Sequence, residues 1–186
     1  VFEGAQKDFA DRVNLLMHSD KKFEAACQLD DYLNLGLHLE DDPAKYQPVL
    51  QHWLHYLLNS DHIEEAAKLL WTPNQFTPEP QSTKDIWTLF DESSHGLVMG
   101  AAACSKTYGF GVRFLLEWIR DPEWTAIRVL GPSEDHLEQN LFSHLVGLHK
   151  SASLPMPGTV GELFIGLDRR NQLSSIKGVV IPVGQK

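Results

Sequence analysis

The sequence contains no long apolar run. Nothing in it approaches the roughly 20 consecutive apolar residues that a bilayer-spanning helix needs, and its start lacks the basic-then-apolar pattern of a secretory leader. A membrane-spanning helix and export are therefore not expected. Cysteine is scarce: Cys27 and Cys104 are the only two. Two thiols make no disulfide framework and suit a reducing cytoplasm. Positive charge is also short, with 16 Lys and Arg against 25 Asp and Glu, a net charge of −9. Such a surface repels nucleic acid as a whole, so any DNA contact needs a local patch. The first residue is Val1 rather than Met, which reads as the start of a fragment. What is present is ordinary: 42% hydrophobic and 22% charged residues over a length of 186, the profile of a soluble globular chain with one domain, or one small and one partial domain.

Residues 1–72 read as a helical domain. Phe9, Val13, Leu16 and Met17 recur at helical spacing, and Phe23, Ala26, Cys27, Tyr32, Leu33 and Leu37 do much the same. Asp41-Asp42-Pro43 is a break, with Pro43 suited to a helix first turn. Tyr46, Val49, Leu50, Trp53, Leu54, Leu57 and Leu58 then form a broad apolar face. Ser60 or Asp61 is expected to cap a short helix ending near Leu70. Residues 73–82 hold Pro73, Pro78 and Pro80 and read as a linker. Residues 83–186 follow a different grammar: a helix over 83–92, a buried strand Gly96–Met99, a helix over 106–120, a strand Thr125–Leu130, and a helix capped by Ser133 running to about His149. A Ser/Pro/Gly loop over 151–158 leads to strands at 162–167 and 176–183 around a polar turn. The expected fold class is α/β, a parallel sheet with crossover helices, preceded by the helical domain.

The chemistry concentrates where the expected strand meets the helix at 106. Gly100-Ala101-Ala102-Ala103-Cys104-Ser105-Lys106-Thr107 follows the spacing of the phosphate-binding loop G-x-x-x-x-G-K-[ST]. Such a loop points its backbone N–H groups at phosphates, with the positive end of a helix behind it. Lys106 is expected to reach the β- and γ-phosphates of ATP, and the Thr107 hydroxyl to hold Mg²⁺. Ser105 replaces the second glycine, a departure from the pattern. Upstream, Phe76 and Gln81 offer an aromatic face and an amide that can pair with both N6 and N7 of adenine. The alternative is that Phe76 anchors the linker and Gln81 is exposed.

From Phe76 to Val183 the sequence resembles the start of the ATPase domain of a phage large terminase, the DNA-packaging motor. The aromatic–proline–glutamine approach, the variable phosphate loop, the strand followed by Gly131-Pro132-Ser133 and a long helix, and the strand pair at 162–183 carry the resemblance. It implies a P-loop NTPase-like core that hydrolyses ATP with Mg²⁺ in the bacterial host cytoplasm. It also implies double-stranded DNA, a small terminase subunit and a portal protein as partners, and a ring when assembled. Members commonly carry an arginine in or near the loop, and none lies between Gly100 and Thr107. No strand-terminal Asp-Glu pair follows Thr107, so binding without hydrolysis is expected of this stretch alone. A helicase or translocase of the same superfamily, and a non-catalytic interaction module with a degenerate loop, are the alternatives.

The remaining signals are weaker. His52, His55 and His62, and His136, His144 and His149, lack converging ligands for a metal and read as helix-face residues. Cys104 reads as a small packing residue in the loop. Asp91-Glu92 matches a strand-terminal acidic pair in letters only, because it precedes the loop and sits in a helical stretch. Arg169-Arg170 reads as a solvated turn.

Overall fold

The computed structural model describes residues 4–33, 43–76, 82–92, 106–168 and 174–181. The chain forms two compact units, one of residues 1–76 with 152–155 and the other of residues 77–151 with 156–186. The first boundary falls inside the Pro-rich stretch 73–82. The assignment of 152–155 to the first unit has no counterpart in the sequence pattern.

The first unit is a helical bundle of α1 (Ala5–Met17), α2 (Lys22–Leu33), α3 (Pro43–Asn59) and α4 (Ile63–Leu70). α1 packs on α2 and α4, and α3 packs on the same two helices, so the four close around one core. Val13, Met17, Leu29, Trp53, Leu57, Leu58, Leu69 and Leu70 fill it, and Ala25, Ala26, Ala66 and Ala67 let the backbones approach. Trp53 stacks on Tyr56 at 5.2 Å and meets Phe9 and Tyr32 edge-on. Leu154 is buried in this unit, and the Ser153 N–H donates to Leu70 O at 2.7 Å.

One local reading is corrected here. Neither Ser60 nor Asp61 caps α4. His62 holds the N-cap position without a side-chain cap bond. Asp61 instead ends α3: its φ is 57°, in the left-handed region. The His62 N–H reaches back to Leu57 O and the Asp61 N–H to Leu58 O. That pair of bonds around a left-handed residue is a Schellman C-cap, and Asp is among the few side chains that tolerate the conformation.

The second unit is α/β. α5 (Ser82–Glu92) and α6 (Lys106–Arg120) precede β1 (Ile127–Gly131). Next come α7 (Glu134–Leu137), a π-helical turn over Glu138–Phe142, α8 (Ser143–Ser151), and the strands β2 (Thr159–Gly161), β3 (Phe164–Gly166) and β4 (Ser175–Val180). The sheet has four strands in the order β1-β4-β3-β2. β1 and β4 are parallel, in register from Ile127 opposite Ile176 to Gly131 opposite Val180. β3 is antiparallel to both β4 and β2. The sheet is therefore mixed, not wholly parallel as the sequence pattern suggested. The expected strand 162–167 is a tight turn, Glu162-Leu163, plus β3. β2 falls in 159–161, between the Ser/Pro/Gly loop and the expected strand at 162, just after Gly158, which takes φ 85°.

The crossover from β1 to β4 starts as expected. Ser133 Oγ accepts the His136 N–H at 3.2 Å, the N-cap. The π-helical turn was not anticipated. The Asn140 side-chain amide takes the His136 carbonyl at 2.7 Å, the acceptor its own backbone N–H would use in an α-helix, and such side-chain competition loosens the ladder. Leu137, Phe142, Leu145 and Leu148 of this crossover are buried, as are Leu115, Leu116, Trp118 and Ile119 of α6. A Cβ on Gly178 of β4 would lie 3.2 Å from the Phe142 ring, so the glycine lets the crossover lie close on the sheet. Among the described residues, no helix is long and apolar enough to cross a membrane.

Candidate nucleotide site

α6 begins where the sequence places the end of the phosphate loop, at Lys106. Gly100, Ala101, Ala102, Ala103, Cys104 and Ser105 lie outside the described residues, as do Gln81 and the expected strand Gly96–Met99. Lys106 is the first residue of the helix, and its side chain is also outside the description. Thr107 follows in the first turn and is exposed. That turn holds no acidic residue. A 15-residue helix with an exposed hydroxyl and no acidic residue in its own first turn suits an anion there.

The next turns of α6 are gripped from two sides. The Trp87 indole N–H of α5 donates to Gly109 O at 3.1 Å, and Ile86 and Thr83 lie against Gly109. Leu145 of α8 and Leu141 of the π-helical turn lie against Gly111, and Tyr108 meets the His144 ring edge-on at 5.5 Å. A methyl group would sit in ordinary van der Waals contact at either glycine, with the nearest atoms at 3.5 Å from the Cβ position.

α5 and α6 run in the same direction. Trp87 meets Gly109, Phe90 meets Phe110 and Phe114 at 5.8 Å each, and Asp91 meets Arg113. The Arg113 guanidinium is buried, with Nη2 at 2.5 Å from Asp91 Oδ1 and 2.6 Å from Glu117 Oε1. Its carbon lies 5.8 Å from the Phe90 ring centroid, within cation–π range. Sequence reasoning missed this group. Its only signal was a charged residue between Val112 and Phe114 on an amphipathic helix, with Glu117 one turn on. Asp91 belongs to this ion pair.

Phe76 lies in the other unit. It is 6% exposed and meets Trp71 edge-on at 6.3 Å, the anchoring role that the sequence left open for it.

The other candidates do not assemble. His52, His55, His136 and His144 are exposed, and His149 Nε2 lies 3.0 Å from Pro157 O. Burial, foremost, pushes the His62 imidazole below the usual histidine range. Burial and the nearby Asp31 and Asp30 carboxylates push the Cys27 thiol up, away from reactivity. No group of three or more His, Cys, Asp or Glu is placed to hold a metal among the described residues. Arg169-Arg170 lies outside them. An open cavity of about 540 Å³ is walled by Glu134, Asp135, Glu138 and Glu162 opposite Lys177. Its carboxylates make it a poor site for phosphate.

No protein-family model matches this chain, no curated protein matches it in sequence, and no solved structure matches it in fold.

Proposed function

We infer that this chain carries the nucleotide-binding part of a P-loop ATPase of the phage large-terminase type. The observation that supports this reading is the start of α6: a helix that opens on Lys106 and Thr107, leaves the Thr107 hydroxyl exposed, and has no carboxylate in its first turn. The parallel course of α5 and α6 adds to it. The chain leaves α5 beside Arg113 and must re-enter α6 at Lys106, roughly 10 Å back along the helix.

On this reading, the backbone of residues 100–107 cradles the phosphates of ATP, Lys106 neutralises the charge on the β- and γ-phosphates, and Thr107 Oγ1 ligates Mg²⁺. Bound Mg²⁺ would supply the positive charge that withdraws electrons from the terminal phosphate. Gln81 reads the adenine edge, and Phe76 fixes the start of the segment that carries it. The bundle of α1–α4 serves as the tether to the small terminase subunit, the portal or the neighbouring motor subunit. With a net charge of −9, the chain engages double-stranded DNA through a local patch.

The test is titration of the 186-residue chain with a fluorescent ATP analogue and Mg²⁺, beside Lys106→Ala. Saturable binding that Lys106→Ala abolishes, with unchanged thermal melting, supports the reading. No binding by the wild-type chain rejects it and favours the non-catalytic interaction module.

A further inference from the structure

We propose that the open face of the sheet binds single-stranded nucleic acid, with Arg128 and Lys177 meeting phosphates and Phe164 and Trp124 offering rings on which bases stack. This role holds whether or not the chain binds ATP. Successive side chains of a strand alternate between the faces of a sheet, and the register sorts them. Gly131 and Gly178 point to one face, where their Cβ positions lie 2.6 and 3.3 Å from Leu137 of α7. Ile176 and Ile165 share that face and are fully buried. On the other face Arg128 pairs with Lys177 and Leu130 with Val179, and Phe164 of β3 pairs with Lys177 from the far side. This face is open to solvent: Arg128 is exposed, Leu130 is 60% exposed, and Phe164, Lys177 and Val179 are half-buried.

Charge is segregated on this sheet. Its four strands hold two charged residues, Arg128 and Lys177, and no carboxylate. Both cations fall on the open face, in a chain whose net charge is −9. Arg128 Nη1 donates to Ser175 O at 2.7 Å, which holds the guanidinium across the sheet over β4. Lys177 also borders the carboxylate-walled cavity, so Arg128 is the stronger phosphate contact. The Phe164 ring leans along β3 onto Gly166, where a Cβ would lie 2.6 Å from Phe164 Cζ. Trp124 is 82% exposed just ahead of β1. The Ser174 hydroxyl donates to Glu123 O, which ties this end of β1 to the start of β4. Rings beside cations on a flat sheet suit unpaired bases, because every base has a π-face and a duplex hides it. A second copy of the chain fits this face poorly, because an isologous pairing brings like cations together.

The test is fluorescence anisotropy of the 186-residue chain with three labelled probes: an oligothymidine of about 10 nucleotides, an abasic strand of the same length, and the matching duplex. The oligothymidine is expected to bind about tenfold more tightly than either of the others. Phe164→Leu and Trp124→Ala should each weaken its binding about tenfold and leave the abasic strand unaffected. Arg128→Gln should weaken both single strands and flatten the slope of log affinity against log salt by about 0.7. Lys150→Gln removes an exposed cation from α8 and should match wild type. Absence of oligothymidine binding at low salt overturns the proposal, as does equal binding of the abasic strand or the duplex. Unchanged affinity in both aromatic variants also overturns it, as does an equal loss in Arg128→Gln and Lys150→Gln. Phe164 is half-buried, so thermal melting checks that its variant folds. Trp124 and Arg128 are exposed, and their variants decide the outcome if it does not.

Discussion

Gly131 and Leu137 face each other so closely that a Cβ on the glycine would lie 2.6 Å from Leu137 Cγ. Gly131 is the last residue of β1 and Leu137 a buried residue of α7, so this contact sets how tightly the crossover turns off the sheet. Gly131→Ala forces Leu137 or the strand to move. It is expected to cost about 1–3 kcal/mol, the usual range for overpacking, as a lower urea midpoint with an unchanged m-value.

Asp61 stands at φ 57° at the end of α3. A β-branched side chain is poorly tolerated there, whereas glycine is at ease. Asp61→Val is expected to lower stability by about 1–2 kcal/mol, and Asp61→Gly to leave it equal or higher. Thermal melting of the two variants side by side checks the assignment. If both lose stability equally, Asp61 acts through its carboxylate and not through its backbone.

Two of the three tryptophans of the second unit stand in opposite settings. Trp118 is fully buried on α6, and Trp124 is 82% exposed just before β1. Trp118→Ala is expected to cost about 3–5 kcal/mol. Trp124→Ala should stay within about 0.5 kcal/mol of wild type, while removing the fluorescence component that iodide quenches most readily.

His62 occupies the N-cap position of α4, and its imidazole is held below the ordinary value of 6.5, chiefly by burial, with Glu65 and Asp61 pulling the other way. The positive end of α4 also disfavours the imidazolium. As pH falls through 6.5 the unfolded chain takes up the proton first, so stability drops, and the loss stops growing once pH is below the folded value. His62→Gln removes that contribution. Its melting temperature should fall less steeply than that of wild type between neutral pH and pH values below 6.5.

Where one residue type had one physical job, the sequence was readable. The apolar spacing of Val112, Leu115, Leu116 and Ile119 marked α6, and Ser133 marked the start of the crossover as its cap. Legibility failed where a residue could serve either of two neighbours. Asp61 was read as the beginning of α4 because aspartate is common at helix starts, yet its backbone ends α3. The β2–β3 hairpin was missed because Glu162-Leu163 carries no Asn-Gly or Asp-Gly signal. At the site, Lys106 and Thr107 were visible as motif letters. The Arg113–Asp91 pair was not, because no local pattern tells a helix which charge on another helix will meet it.

The return of residues 152–155 to the first unit has a consequence for how the protein is made. Leu154 is part of that unit's core and Ser153 bonds its backbone at Leu70. During synthesis, which proceeds at about 5–20 residues per second, the bundle waits for this piece until β1 and the crossover have already left the ribosome. Its last contacts form late, and a gene cut at the proline-rich boundary would express a bundle with one of its core positions unfilled.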